Sequence, residues 1–176
     1  MACWNVIDHE ELTGSAASWT SVTIPSTYDH LHLVVSARTD DSVDYAATLI
    51  QFNGDTGGNY SSTDLYTFSS FALGTGRTSG ISGIGYAMLS GATTTADTFG
   101  IMDVWIPNYA NTSNYKSLTC NSAAVNTDST SGNFQSRVSA GMWSSTAAIT
   151  SVKVLPNIGN LVQYSSFTLY GINGAG

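Results

Sequence analysis

His30-Leu31-His32-Leu33-Val34-Val35-Ser36-Ala37 decides the fold class. Leu31, Leu33 and Val35 fall on one side of a two-residue repeat, and His30, His32 and Val34 fall on the other, as an extended strand requires. Both sides are partly apolar, so this strand is predicted to lie inside its sheet rather than at an edge.

The same short period recurs outward from it. Residues 18–24 alternate Trp19, Ser21 and Thr23 against Thr20, Val22 and Ile24 and stop at Pro25. Further strands are predicted over 45–52, 65–69, 85–90, 98–106, 115–121, 137–143, 149–155 and 166–172, runs of Val, Ile, Thr, Tyr, Phe and Trp parted by Gly, Asn, Asp and Ser. About ten strands at this spacing predict an all-β protein, an antiparallel β-sandwich or barrel with almost no helix. A short helix of about two turns is the reading for residues 7–13, where Asp8, Glu10 and Glu11 cluster.

Three connections stand out. Residues 52–60 hold Asn53-Gly54 and Gly57-Gly58, pairs suited to the positive φ of tight turns. Residues 74–85, with glycines at 74, 76, 80, 83 and 85 and Arg77 at the centre, read as a flexible loop able to order against a partner. Residues 121–133 read as a second polar loop.

The 176 residues fit one domain, and 42% hydrophobic with 11% aromatic residues fill a core. Charged residues make up only 10%, so the 25 Ser, 22 Thr, 17 Gly and 12 Asn supply most of the polar surface. A net charge of −7 with no basic run argues against direct nucleic-acid binding. No stretch approaches the ~20 apolar residues of a membrane span, and Met1-Ala2-Cys3-Trp4 lacks a secretory start, so the chain is expected to stay where it is made. Cys3 and Cys120 are expected to be free thiols.

Catalytic and metal signatures fall short one by one. Gly80-Ile81-Ser82-Gly83-Ile84-Gly85 misses the nucleophile-elbow spacing, because position 84 is Ile. Gly74-Thr75-Gly76-Arg77 lacks the strand, helix and Lys of a phosphate loop. His30 and His32 share a strand face beside Asp29, a spacing suited to a metal, but no third ligand follows; His9 lies apart, and Glu occurs only at 10 and 11. Asn53, Asp55 and Gly57 start like a calcium loop and lack its bidentate Glu. Asp40, Asp41 and Asp44 read as a solvated loop. Asp103 stands alone in an apolar strand, half of a glycosidase pair, with Arg38 or Arg137 as candidate ion partners. The expectation is no catalytic, cofactor or metal site. Asn59-Tyr60-Ser61 and Asn111-Thr112-Ser113 match the glycosylation sequon and read as polar loops. Trp19, Trp105, Trp143, Tyr28, Tyr60, Tyr109 and Tyr115 are candidates either for core and interface packing or for a sugar-stacking platform.

Three stretches carry a resemblance: Ile24-Pro25-Ser26-Thr27-Tyr28-Asp29-His30-Leu31, then Phe52-Asn53-Gly54-Asp55-Thr56-Gly57-Gly58-Asn59-Tyr60-Ser61, and Ser166-Phe167-Thr168-Leu169-Tyr170-Gly171-Ile172. In this order, over about residues 22–172, the chain resembles a family of small virion structural proteins of tailed bacteriophages. That resemblance implies a jelly-roll-like sandwich over residues 14–176, with residues 1–13 as an N-terminal arm; the alternative for residues 1–13 is an edge strand that completes the sandwich. It also implies a decoration or cement protein, assembled in the host bacterial cytoplasm. Such a protein is a homotrimer that binds the major capsid protein on the outer head surface, where several weak contacts add up to avidity. The alternative is a tail or head-fibre module binding a host-surface glycan. Trp4 and Ile7 in the arm, Arg77 in the glycine-rich loop and Tyr109 are the expected partner contacts.

Overall fold

The computed structural model describes residues 3–67, 72–126 and 135–174. Twelve strands follow one another: β1 (Cys3–Glu11), β2 (Trp19–Thr20), β3 (His30–Ala37), β4 (Tyr45–Phe52), β5 (Tyr60–Thr67), β6 (Leu73–Ile81), β7 (Ile84–Ser90), β8 (Gly100–Pro107), β9 (Lys116–Ala124), β10 (Gln135–Trp143), β11 (Val152–Pro156) and β12 (Ser166–Asn173). They form two antiparallel sheets, ordered β1-β12-β3-β8-β9-β10-β5-β6 and β2-β11-β4-β7. The described chain is therefore an all-β sandwich.

Four pairings organise it: β1 with β12, β2 with β11, β3 with β8, and β4 with β7. Successive pairs alternate between the two sheets, as when one long antiparallel ribbon is rolled up. Two hairpin insertions, β5–β6 between β4 and β7 and β9–β10 between β8 and β11, widen only the larger sheet.

Alternation places the core. Leu31, Leu33 and Val35 of β3, Phe167 and Leu169 of β12, and Met102, Val104 and Ile106 of β8 turn inward. They meet Ile50 and Phe52 of β4, Leu89 of β7, and Val152 and Val154 of β11, all essentially inaccessible to water. Trp19 stacks on Phe167 with ring centroids 5.0 Å apart and closes one end. β3 lies between β12 and β8, inside the sheet as its two-sided apolar pattern requires. Where β9, β10 and β5 pack beside β7, their inward face is apolar at Leu118, Cys120, Trp143 and Tyr60 and polar towards the other end, where Met88 N–H donates to Ser122 Oγ (3.0 Å) and Arg137, Ser139, Ser62 and Asp64 are buried.

Three readings change. Within residues 1–13, the described part is neither a free arm nor a helix: Cys3–Glu11 is an edge strand of the larger sheet, registered from Cys3 opposite Asn173 to Glu11 opposite Ser166, with a bulge between Val6 and Asp8. An edge strand has one side open to water, which tolerates the charges that suggested a helix. Residues 74–85 are mostly strand, because β5 supplies a ladder from Tyr60–Ile81 to Thr67–Leu73 that a glycine-rich segment alone does not signal. Of residues 18–24, only Trp19–Thr20 is regular strand; beyond it Ser21 and Ile24 N–H still donate to Val152 O and Thr150 O (2.9 Å each). Parts of the predicted strand over 65–69 and of the polar loop over 121–133 lie outside the described residues; 121–124 belong to β9.

The Asn53-Gly54 turn is present as expected. Both residues have positive φ (54° and 68°), and Asp55 N–H donates to Phe52 O (2.9 Å). Asn53 fixes this turn to the strand entry at 148–151: its Nδ2 donates to Ala148 O (2.8 Å), and Thr150 N–H donates to its Oδ1 (2.7 Å). Gly57 and Gly58 do not share the positive φ expected of them. A Cβ on Gly58 would sit 3.2 Å from Gly80 O, so Gly58 is needed for close approach of the backbones. Gly54→Val is expected to destabilise the fold by about 1–3 kcal/mol, the strain of a β-branched residue held at positive φ. A urea melt with an unchanged midpoint refutes this.

Candidate functional site

The notable surface is the face of the larger sheet turned away from the smaller one. Most exposed large apolar side chains of the described chain project from it: Trp4 and Val6 of β1, Val34 of β3, Ile101 and Trp105 of β8, Val138 and Met142 of β10, and Leu65 and Leu73 beyond them. Cross-strand register sorts this face into two regions.

The first is a groove of about 720 Å³. Its axis is one row of partners, Trp105–Thr119–Ala140–Thr63–Arg77, running across β8, β9, β10, β5 and β6. Trp105, with His30 and Pro107, makes one wall and Arg77 lines the far side, while Ser61, Ser117, Thr119, Thr63 and Ala140 keep the floor low. Trp105 is 37% exposed and is held rigidly: it stacks on His32 (4.6 Å between centroids), and Trp4 packs edge-on against both rings (5.5 Å from Trp105, 4.9 Å from His32). Tyr170 stacks on the other side of His32 at 6.1 Å. His32 Nε2 lies 2.7 Å from Asp103 Oδ2, so the outward carboxylate of β8 meets His32 rather than Arg38 or Arg137.

Arg38, Lys116 and Arg137 have partners elsewhere. Arg38 donates to the carbonyls of Ala92, Thr94, Thr95 and Thr98 and so closes the loop before β8. Lys116 is buried and donates to Asn114 O and Thr146 O; burial lowers its pKa. Arg137 pairs with Asp64 inside the sandwich, Nε to Oδ1 3.4 Å. Arg77 is exposed, and among the described residues no acceptor is bonded to its guanidinium. It is the one permanent charge among the groove's lining residues.

The second region holds Val138 and Leu65, directly opposed on β10 and β5, with Leu73 two positions along β6; Ile101 and Val34 stand apart on β8 and β3, across Asn121 of β9 and Asp103 of β8. Val138, Leu65, Leu73 and Ile101 are each between 45% and 69% exposed.

The other expected contacts are placed differently. Tyr109 is wholly buried: its hydroxyl donates to Pro25 O and accepts from Tyr28 N–H, and burial pushes its pKa up, so it holds the loop before β3 instead of standing on the surface. Ile7, in the β1 bulge, packs on the core instead of reaching outward. Trp4 and Arg77 do stand on the outer face. His30 Nδ1 accepts from Asn108 N–H (3.2 Å), and His9 Nδ1 lies 2.8 Å from Thr168 Oγ1. Asp40 accepts from Asn160 N–H and Nδ2 (2.6 and 3.0 Å), and Asp44 accepts from Thr93 Oγ1 (2.6 Å). These carboxylates tie loops together, and among the described residues no three His, Cys, Asp or Glu side chains gather as a metal site would need. Cys3 is exposed and Cys120 buried, both unbridged.

Asp55 is a structural hub. Trp143 Nε1–H and Asn59 Nδ2 donate to its Oδ2 (2.7 and 2.9 Å), and Gly57 N–H donates to Oδ1 (2.8 Å). The Trp143 bond first, then those of Asn59 and Gly57, hold the carboxyl below the usual aspartate range. A depressed folded pKa stabilises the fold above the unfolded value, and that stability disappears as pH falls through the folded value. The gap in Tm between the parent and Asp55→Ala is therefore expected to be full at neutral pH and to narrow below about pH 4. A gap that is constant from neutral pH down to about pH 3 contradicts this assignment.

The groove was not foreseen from sequence. It needs the register of five strands, one of them the glycine-rich β6, and the only local signal was outward small hydroxyls on β9 and β5. The chain matches no protein-family model, no curated protein and no solved structure.

Proposed function

We propose that the chain is a non-catalytic structural protein of a tailed-bacteriophage virion: a decoration (cement) protein that binds the outer head surface as a homotrimer and stabilises the capsid. The observation that carries this reading is the exposed apolar pair Val138 and Leu65, with Leu73 beside them, on an otherwise hydroxyl-rich surface. Apolar side chains grouped this way mark a surface covered by protein. The nested pairing of β1 with β12, β2 with β11, β3 with β8 and β4 with β7 supports a jelly roll, an architecture common in capsid proteins. The stretches resembling phage virion proteins lie on it: residues 24–31 lead into β3, residues 52–61 make the β4–β5 turn, and residues 166–172 form β12.

Three copies around a three-fold point join several capsid subunits, so modest contacts suffice. Light scattering of the parent is expected to give a trimer, and the pair Leu65→Asp with Val138→Asp a folded monomer that no longer coats undecorated heads. A parent that is monomeric at micromolar concentration and leaves heads bare overturns the proposal. The second reading, a fibre module that binds host glycan, is favoured by one observation, the open groove between Trp105 and Arg77.

A further inference from the structure

We infer that the groove between Trp105 and Arg77 is a binding site for an acidic oligosaccharide, a chain whose sugar rings carry carboxylates. This deepens the glycan-binding reading and rests on it: that reading needs some saccharide in the groove, and this one names its charge.

Three features of the groove select this chemistry. An indole face that is partly exposed and immobilised by two neighbouring rings offers the flat apolar surface on which the C–H face of a pyranose packs. A floor of Ser61, Thr63, Ser117 and Thr119 offers hydroxyls that both donate and accept, directly or through water, as sugar hydroxyls do. Arg77 sits on the far side with no acceptor bonded to it among the described residues, in a chain of net charge −7. Its planar fork pairs bidentately with a carboxylate.

Size decides between one ring and several. Trp105 and Arg77 stand four strand spacings apart, roughly 19 Å between backbone positions. Shortened by both side chains, that distance fits a short oligosaccharide whose one ring stacks on Trp105 and whose carboxylate, further along, meets Arg77. The apolar pair Val138 and Leu65 lies one row away on the same face and does not line the groove.

The test titrates the full-length protein with a panel of uronate and sialate oligomers of two to six rings and with the same oligomers carboxyl-reduced. Calorimetry and tryptophan fluorescence supply the readouts. The expected result is binding of at least one acidic oligomer, weakened about tenfold or more by carboxyl reduction and by Arg77→Gln, and similarly by Trp105→Ala. The fluorescence change on binding is expected to persist in Trp4→Phe and vanish in Trp105→Ala. Arg77 is an exposed edge-strand side chain, so Arg77→Gln is expected to fold and melt like the parent. If reduced and acidic oligomers bind alike and Arg77→Gln is silent, the acidic assignment fails while the glycan reading stands. If no oligomer of either kind binds at millimolar concentration, both fail.

Discussion

Replacing Arg137 with Leu is expected to lower the unfolding free energy by about 3–5 kcal/mol, the cost of leaving one charge of a buried pair without its partner. For a domain of this size that is a fall in Tm of roughly 6–20 °C. Asp64 is almost wholly buried, Arg137 nearly so, and the guanidinium lies over the Tyr66 ring at 4.5 Å from its centroid. Ser62 Oγ donates to the other carboxylate oxygen at 3.2 Å. Neither charge can recover its water where it stands. Asp64→Leu is expected to cost a similar amount, and the double replacement clearly less than the sum, because it removes both charges together. Urea unfolding of the four proteins measures this cycle; single variants within about 1 kcal/mol of the parent rule out a buried pair of this kind.

Removing residues 1–11 is expected to do more than detach an appendage. β12 then presents the open hydrogen-bonding edge that β1 covers from Ser166 to Asn173, and the ring of Trp4 leaves His32, Trp105 and Tyr170. Ile7, partly buried against the core, also leaves it, a loss below the about 1.5–3 kcal/mol of a fully buried side chain. Val22 N–H loses the Asp8 carboxylate, 2.8 Å away. An uncovered flat edge recruits another chain, so light scattering is expected to show large assemblies and thermal melting to begin well below the parent's. A truncated protein that stays as discrete as the parent and melts with it refutes the edge-strand role and restores the arm.

The sequence carried those elements whose own residues alternate. His30–Ala37 and Tyr45–Phe52 were readable to the residue, and the strands at 100–107, 135–143 and 166–173 to within two or three, because each turns one apolar side inward. Two edge strands were not the first reading, β1 being an edge strand only as the alternative to an arm. β1 carries Asp8, Glu10 and Glu11, and β6 carries Gly74, Gly76 and Gly80; in both, the strand state comes from a ladder with a distant partner, to which local propensity is blind. Tyr109 looked like a surface aromatic because nothing near it in sequence announces that its hydroxyl meets Pro25 O. Of the groove, Arg77 and Trp105 could be named one at a time, but their opposition across a floor of small hydroxyls is a property of register.

The nesting of β4–β7 within β3–β8, of that within β2–β11, and of all three within β1–β12 has a consequence for how the chain is made. Closing the inner pairs first keeps every later loop short, so the ribbon is expected to zip from the middle towards its ends. Of the twelve strands, the one made before the others is thus the last to find its place. At about 5–20 residues per second β1 waits roughly 10–35 s for β12 to be translated. Through that interval Asp8, Glu10 and Glu11 repel other nascent chains, and the acidity of this edge guards a strand that has no partner yet.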